Sequence, residues 1–358
     1  MNFEQFVERV KDSIKDYLSA EYQDAAVNVY NLEKINNSYV AMTVSDMNGV
    51  SPAVNLDDYF WDYSHGRSFN NCMLAMAETL GMETPAVDLQ AISNYENAKN
   101  HLFIRVSNAE ENKDFLKNVP HTIVEDIAIT YHLKISVDAV GVSSAPITEN
   151  ILNSYGISKE QLHQDAINNS EKMFAANIVS LNEMMKESMA LDMRQSGMPE
   201  EQIEEMLNEI PLDNPMTVVT NDVKVNGAAA IFYPEVMDQL AEKIGGDYFI
   251  LPSSVHETLI LPDNGEFTAE QLKAMVTEIN ATEVSPEDRL TDEVYHYDPI
   301  DKVFEKATAF EERQEKKMAH DKAEKKQSVM DRLGEKKEVA KQMSGERKTP
   351  GKSAELSM

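Results

Sequence analysis

The chain has 358 residues, of which 42% are hydrophobic and 27% charged, a composition typical of folded globular proteins and not of disordered ones. It carries 33 Lys and Arg against 62 Asp and Glu, and this net charge of −29 disfavours direct binding to nucleic-acid phosphates or to anionic membranes. Neither a secretory leader nor an apolar run of about 20 residues, the length that crosses a bilayer, is visible, so we expect a cytoplasmic protein.

The N-terminal part predicts a helix, a β-hairpin and a second helix. Apolar residues recur at helical spacing from Phe3 to Leu18. Alternating apolar residues on both sides of Asn36-Asn37 predict a hairpin, because asparagine tolerates the positive φ of a tight turn. A short strand is expected near residues 52–56, and Ser68 is typical of the N-cap of a helix that ends at Gly81.

Two features of this part invite a functional interpretation. The aromatic cluster Tyr59–Tyr63 could be a docking surface, but a helix end packed on the hairpin is the commoner arrangement. Cys72 is the only cysteine, so an internal disulfide is excluded. It lies in an apolar helical stretch, and we interpret it as a small buried residue in preference to a reactive thiol.

The middle of the chain predicts a group of strands followed by helices. The strands are expected at Leu102–Val106, at Asp126–Leu133 and near Val137–Ile147. Thr148 and Ser158 are typical N-caps of two successive helices, and the second is expected to continue to the Gly-Met-Pro sequence at residues 197–199.

The next hundred residues predict strands and helices in the order β-β-α-β-β-α, which favours mainly antiparallel pairing with helices against the sheet. The evidence is four apolar runs and two helix signals: strands at Thr217–Thr220, Ala228–Phe232, Tyr248–Leu251 and Val255–Leu261, a helix from Pro234 to Gly245, and a capping box at Thr268 and Gln271. The predicted fold class is therefore α+β, with mixed, mainly antiparallel sheets and flanking helices.

The composition changes at Phe304, where Lys and Glu begin to interleave with few apolar residues. From Glu305 onwards, 14 basic and 11 acidic residues give a net charge of +3, whereas the preceding residues have 19 and 51, a net charge of −32. Such a tail is either a solvated helix or disordered, and we expect disorder at its end from Thr349. The predicted organisation is an N-terminal α+β subdomain (residues 1–198), a C-terminal subdomain (199–300) and the charged tail (301–358).

The sequence lacks the common motifs for phosphate binding, nucleophilic catalysis and metal binding. There is no GxGxxG or Walker-type loop for phosphate, no GxSxG nucleophile elbow, no HExxH helix and no CxxC pair. We therefore expect neither a cofactor nor a bound metal, and the function is more easily explained by binding than by catalysis.

The turn Leu251–Glu257 is the strongest candidate for a site. Ser253, Ser254, His256 and Glu257 bring two hydroxyls, an imidazole and a carboxylate together, and these are the residue types of nucleophilic catalysis. The structural alternative is turn chemistry, in which a serine bonds to nearby backbone and the imidazole pairs with a carboxylate. Asp126 is a further candidate if folding brings it to the same pocket.

A metal site could use His121, Glu125, Asp126 and His132, because imidazole and carboxylate groups bind zinc and iron. One extended strand would, however, separate Asp126 and His132 by about 20 Å, since each residue advances the chain by roughly 3.3 Å. Strand geometry alone therefore cannot bring them to one ion.

Several stretches resemble a family of uncharacterised proteins of anaerobic gut bacteria, domain-of-unknown-function family 5688, whose genes often lie near mobile elements. The resemblance covers about residues 3–297 and is most specific in the Leu-Pro-Ser-Ser-x-His-Glu string. It rests on Ser51–Leu56, Asp126–Tyr131, Tyr155–Leu162 with Ala166 and Asn169, Thr220-Asn221, Gly227–Ala229 and Leu251–Glu257. The resemblance implies no catalytic residue, because the family has no established activity.

Three functions are open at this point. The leading hypothesis is a non-enzymatic accessory protein that binds another protein, with the tail as tether or docking segment. The first alternative is a small-molecule hydrolase or ligand-binding domain that uses the Ser253–Glu257 turn, and it requires these side chains to converge on one pocket. The second alternative is an acidic protein that imitates DNA, which requires carboxylates spaced like phosphates along one face.

Overall fold

The computed structural model describes residues 1–45, 52–81, 93–138, 141–210 and 214–345. Ser51, residues 139 and 140 of the third predicted middle strand, and the C-terminal segment for which disorder is predicted lie outside these ranges. Within the described ranges, no helix is both long and apolar enough to cross a membrane. The chain divides into two compact units, Met1–Phe304 and Glu305–Met358.

The first unit confirms the predicted α+β fold, with antiparallel sheets and flanking helices. Among its described residues, the helices of seven or more residues are Phe3–Ser13, Leu56–Ser64, Phe69–Leu80, Glu149–Tyr155, Lys159–Met173, Leu181–Gln195, Glu200–Glu209, Val236–Ile244 and Ala269–Thr282. The predicted caps Ser68, Thr148, Ser158 and Thr268 each accept a hydrogen bond from the third backbone N–H of their helix.

The N-terminal sheet contains the predicted hairpin. Strands β1 (Ala26–Lys34) and β2 (Asn37–Ser45) pair antiparallel, and β3 (Ala53–Asn55) adds to β2. Asn36 in the turn has φ 58°, the left-handed conformation that asparagine adopts more readily than most residues.

A hydrophobic cluster lies between this sheet and three helices, Phe3–Ser13, Leu56–Ser64 and Phe69–Leu80. The aromatic cluster belongs to it, since Tyr59, Phe60 and Tyr63 pack against the buried residues, while Trp61 is 60% exposed. Cys72 is buried in the same cluster, as expected of a small apolar residue.

A four-stranded sheet forms the middle of the unit. Its strands are β4 (Leu102–Asn108), β5 (His121–Val124), β6 (Ile127–Asp138) and β7 (Gly141–Pro146). The long β6 pairs with β4 along one edge, and with β5 and then β7 along the other. Ile104, Ile129 and Tyr131 on one face join the largest hydrophobic cluster.

A six-stranded sheet completes the unit, in the order β13-β12-β10-β11-β9-β8. The strands are β8 (Ala176–Ser180), β9 (Thr217–Asn221), β10 (Tyr248–Leu251), β11 (Thr258–Pro262), β12 (Tyr295–Asp298) and β13 (Val303–Lys306). The pairing of β8 with β9 crosses residue 198, the predicted subdomain boundary, and the largest hydrophobic cluster also takes residues from both sides of it.

Two predicted elements are wrong. Ala228–Phe232 is part of a 3₁₀ helix, Gly227–Phe232, and not a strand, because a short apolar run can fill a core in either conformation and its periodicity does not distinguish them. The single helix predicted from Ser158 to residue 198 is interrupted by β8. The signal for the second helix is the capping box of Ser180 and Glu183, which the long run of methionines obscured.

The second unit contains one helix, Ala307–Gly345, within its described residues. Of the two predicted states for the tail, the helical one is therefore found there. The side chains described between residues 314 and 338 are almost all exposed, consistent with a solvated charged helix.

Candidate functional site

The Ser253–Glu257 turn connects β10 to β11 and is held by the segment around Asp288. The backbone N–H of Val255 donates to the Asp288 carbonyl oxygen at 2.8 Å, and the N–H of Leu290 donates to the Ser253 carbonyl oxygen at 3.0 Å. The backbone of the turn is therefore hydrogen-bonded to a segment that sequence reasoning did not select.

Both ring nitrogens of His256 have hydrogen-bond partners. The backbone N–H of Asn226 donates to Nδ1 at 3.2 Å, and Nε2 lies 3.0 Å from Asp288 Oδ1. A backbone N–H can only donate, so Nδ1 is the acceptor and Nε2 carries the proton that is donated to Asp288. This arrangement determines the tautomer of His256 and leaves neither nitrogen in position to accept a proton from a serine.

Asp288 completes a polar cluster with His256 and Ser285. The Ser285 hydroxyl donates to Asp288 Oδ2 at 2.8 Å. Partial burial raises the pKa of Asp288, but the hydrogen bonds from Ser285 and His256 outweigh burial, and the pKa lies below its usual value. The carboxylate is therefore ionised at neutral pH and orients the imidazole.

The two serines of the turn do not face the imidazole as nucleophiles would. Ser254 Oγ accepts a hydrogen bond from the His256 backbone N–H at 3.0 Å. Burial raises the pKa of Glu257. A serine–histidine–carboxylate triad needs the hydroxyl on one ring nitrogen and the carboxylate on the other, and this turn satisfies only the second condition.

Gly227 brings a second part of the chain against the turn. A Cβ atom on Gly227 would lie 2.5 Å from the His256 carbonyl oxygen and 2.7 Å from the Asn221 nitrogen, with Thr220 Oγ1 nearer still. The Thr220 hydroxyl donates to that same carbonyl oxygen at 2.8 Å. Only glycine fits at this position. These contacts also show that three of the segments that carry the family resemblance are neighbours in the structure: Thr220-Asn221, Gly227–Ala229 and Leu251–Glu257.

Asp126 makes its hydrogen bonds with a different part of the molecule. It accepts from the Tyr295 hydroxyl at 2.7 Å, from the Thr291 hydroxyl at 2.9 Å, and from the Asn108 side-chain amide at 3.4 Å. These bonds join the turn between β5 and β6 to the start of β12, which is a structural task for this carboxylate.

The histidines considered for a metal have protein partners. His121 Nδ1 lies 2.9 Å from the Val119 carbonyl oxygen, and His132 Nε2 lies 3.1 Å from Thr130 Oγ1. Over the described ranges, carboxylate and imidazole atoms close enough to share one ion occur in His320, Asp321 and Glu324, all exposed on the tail helix. Exposed groups of this kind are common on charged helices without a metal, and they indicate no site.

A different surface is formed by the helices Leu181–Gln195 and Glu200–Glu209, here called the helical hairpin. The two helices contact each other, and an ion pair between Arg194 and Glu200 joins them. Each helix has one buried residue, Ala190 and Ile203. Large apolar side chains elsewhere on the hairpin are exposed: Met185 by 37%, Leu191 by 53% and Met206 by 44%.

The apolar residues of the first hairpin helix lie on more than one side. Leu191 and Met184 are seven residues apart and so share a side, about 100° or more from the buried Ala190. Ala190 is therefore buried on one side of the helix, while on another side Met184 is half-buried and Leu191 is exposed. The helical spacing of the methionines after Ser158 suits a buried face equally well, so spacing alone does not distinguish a core side from an exposed one.

Comparisons with known proteins agree with the resemblance. No curated protein and no solved structure matches the chain. One family model, described as a family of unknown function, matches residues 3–299. This range is most of the chain and contains the Ser253–Glu257 turn. The chain therefore belongs to the family of unknown function DUF5688.

Proposed function

We propose that this chain is a non-enzymatic, cytoplasmic protein-binding module whose helical hairpin docks a basic amphipathic segment of another protein. The observation that carries the proposal is the exposure of Met185, Leu191 and Met206 on paired helices that bury little of their own surface. Groups of exposed apolar side chains on a folded protein commonly mark an interaction surface. Methionine suits such a surface, because its flexible thioether adapts to different partners.

Charge determines which partner fits. The second hairpin helix contains five glutamates and no basic residue: Glu200, Glu201, Glu204, Glu205 and Glu209. Residues before Glu305 carry a net charge of −32, so an acidic partner would be repelled and a basic one attracted. A helix with Leu or Phe on one side and Lys or Arg on the other complements both the methionines and the glutamates.

The geometry of His256 disfavours the hydrolase alternative. A general base must offer a free nitrogen to the nucleophile, and the nitrogens of His256 are occupied by Asn226 and Asp288. The turn is better explained as a polar junction that positions β10, β11 and the 3₁₀ helix Gly227–Phe232.

A peptide titration tests the proposal on the full-length protein. The probe is a fluorescent peptide of about 15 residues with Leu and Lys at helical spacing, and the control peptide has the same composition with strict alternation. We expect the helical probe to bind more tightly, as measured by fluorescence anisotropy. The double variant Leu191→Asp, Met206→Asp is expected to weaken binding about tenfold or more, since it places charge on the apolar surface.

The matched control is Met275→Asp. Met275 is 40% exposed on the helix Ala269–Thr282, so it changes charge at a comparable methionine outside the hairpin. Retained binding by Met275→Asp, together with a folded circular dichroism spectrum for the double variant, supports the docking surface. Equal binding by the double variant, or equal binding of both peptides, would show non-specific attraction to an acidic protein and refute the proposal.

A further inference from the structure

One face of the four-stranded sheet is polar although it is covered. Residues alternate between the faces of a strand, so Ile104 and Val106 of β4 point to the main core and Arg105 and Ser107 to the opposite side. On β6, Thr130 and His132 share that opposite side with the buried Ala128. We call this the Arg105 face.

Three polar atoms on the Arg105 face are buried without a hydrogen-bond partner among the described residues. They are Arg105 Nε, Ser107 Oγ and His132 Nδ1. Buried polar atoms are bonded in the great majority of cases, because an unsatisfied donor or acceptor costs free energy. Two of the three residues, Arg105 and His132, line the same cavity.

A cavity of about 380 Å³ opens against this face. Arg105, His132 and Ser144 contribute polar groups to its lining, and Leu32 and Phe115 contribute apolar ones. The volume is within the roughly 300–1,000 Å³ of small-molecule sites, and an apolar lining with a few directed polar groups is their usual character.

The charge balance of the cavity favours an anion. Across the described ranges the Arg105 guanidinium has no ion-pair partner, and burial lowers its pKa to about 10, so the group remains protonated at neutral pH. Lys34 also lines the cavity, and its ammonium lies 5.0 Å from the centre of the Tyr39 ring. The opposing charge in the lining is Glu33, whose side chain is exposed.

His132 adds an imidazole to the lining of the cavity without adding charge. Burial, followed by the nearby Arg105, lowers its pKa well below the usual value, so the ring is neutral at neutral pH. The Thr130 hydroxyl donates to the Arg105 carbonyl oxygen at 3.4 Å, and its Oγ1 lies 3.1 Å from His132 Nε2. These contacts link the imidazole to the backbone of Arg105 on the neighbouring strand.

We infer that this cavity binds a small organic molecule with a single carboxylate, held by the Arg105 guanidinium, whose apolar part lies against Leu32 and Phe115. The planar guanidinium pairs with both oxygens of a carboxylate. A monoanion fits better than a doubly charged phosphate ester, because Glu33 offsets one of the two cations of the lining, Lys34 and Arg105, within a body of net charge −32.

Calorimetric titration of the full-length protein tests the inference with three probes of similar size. Benzoate carries the carboxylate, benzamide is its neutral analogue, and phenyl phosphate carries the alternative anion. We expect saturable benzoate binding with one site per chain, at least about tenfold weaker binding of phenyl phosphate, and no heat from benzamide. Equal binding of benzamide, or tighter binding of phenyl phosphate, would overturn the assignment.

Arg105→Met and Arg105→Lys separate ligand binding from a structural role. Methionine fills similar space without charge, so the variant is expected to melt at or above the wild-type temperature without ligand, and to lose benzoate binding. Lysine keeps the charge but loses the planar fork, so it is expected to weaken binding about tenfold. Arg9→Met, at an exposed arginine of the first helix, is the control and should bind benzoate as the wild type does.

Unchanged benzoate binding by Arg105→Met would refute the inference. If Arg105→Met does not fold, Arg105→Lys decides the matter, since loss of the fork alone must weaken binding. The outcome is independent of the peptide titration, because the Arg105 face and the helical hairpin share no residue.

Discussion

The close approach at Gly227 yields the sharpest stability prediction. Alanine at this position would place its Cβ 2.5 Å from the His256 carbonyl oxygen and 2.7 Å from the Asn221 nitrogen, and both neighbours are backbone atoms. Overpacking of this kind costs about 1–3 kcal/mol, and moving the carbonyl also weakens the Thr220 hydrogen bond, which contributes about 1 kcal/mol. We expect Gly227→Ala to lower the free energy of unfolding by about 3 kcal/mol.

The assay is thermal unfolding of the full-length protein, followed by circular dichroism. Unfolding entropy scales with length, so a unit of about 300 residues has roughly 0.6 kcal/mol/K, and the variant should melt about 5 °C below the wild type. Gly246→Ala is the matched control, because a Cβ there meets no atom within 4 Å and the backbone is outside the left-handed region. If both variants melt within about 1 °C of each other, the close approach in the structure is wrong.

Three further variants or measurements test individual groups. Asp126→Ala removes the acceptor of the Tyr295 and Thr291 hydroxyls. We expect it to lower the free energy of unfolding, measured in urea, by about 2–4 kcal/mol, against about 1 kcal/mol for Tyr295→Phe. Equal losses would contradict the shared role of Asp126. Burial raises the pKa of Glu257, so its ionisation opposes folding at neutral pH. Glu257→Gln should therefore melt above the wild type at pH 7. The difference in melting temperature should shrink as the pH falls through the raised pKa, because wild-type Glu257 is then protonated. A difference in melting temperature that grows on acidification would contradict this prediction. Cys72 is buried and burial raises its thiol pKa, so a thiol reagent should react with it only as the chain unfolds; rapid reaction in the native state would contradict the packing of the N-terminal cluster.

Elements with local signals could be predicted from the sequence. The hairpin around Asn36 and the helix capped by Ser68 depend on residues within a few positions of each other. Turn conformation and cap hydrogen bonds are decided by the nearest neighbours, so no knowledge of the fold is needed.

The errors arose where a run of residues allows two conformations. Ala228–Phe232 is apolar throughout, and in the structure it belongs to a 3₁₀ helix that is buried from Gly227 to Ile231. The methionine-rich stretch after Ser158 fits one long helix, yet β8 interrupts it because that segment completes the edge of the six-stranded sheet. Propensity is a weak guide at such places, since packing overrides it.

The candidate site also combines residues that local sequence can identify with contacts that it cannot predict. The sequence selected Ser253, Ser254, His256 and Glu257 by residue type, but the partners of His256 are Asn226 and Asp288, which are 30 and 32 residues away. Nothing in local spacing pairs residues that far apart, so whether the imidazole is a free base or a fixed structural group could not be decided in advance. The resemblance motifs at Thr220 and Gly227 were the available signal that these segments meet.

The amino-acid sequence by itself determined the fold class, the caps, the hairpin and the family, because these follow from periodicity, local hydrogen bonding and motif identity. Only the tertiary structure decided that both nitrogens of His256 are occupied and that the half-buried Arg105 has no carboxylate partner among the described residues. The physical reason is that hydrogen bonding and burial depend on which distant strands become neighbours, and strand order is a property of the whole chain.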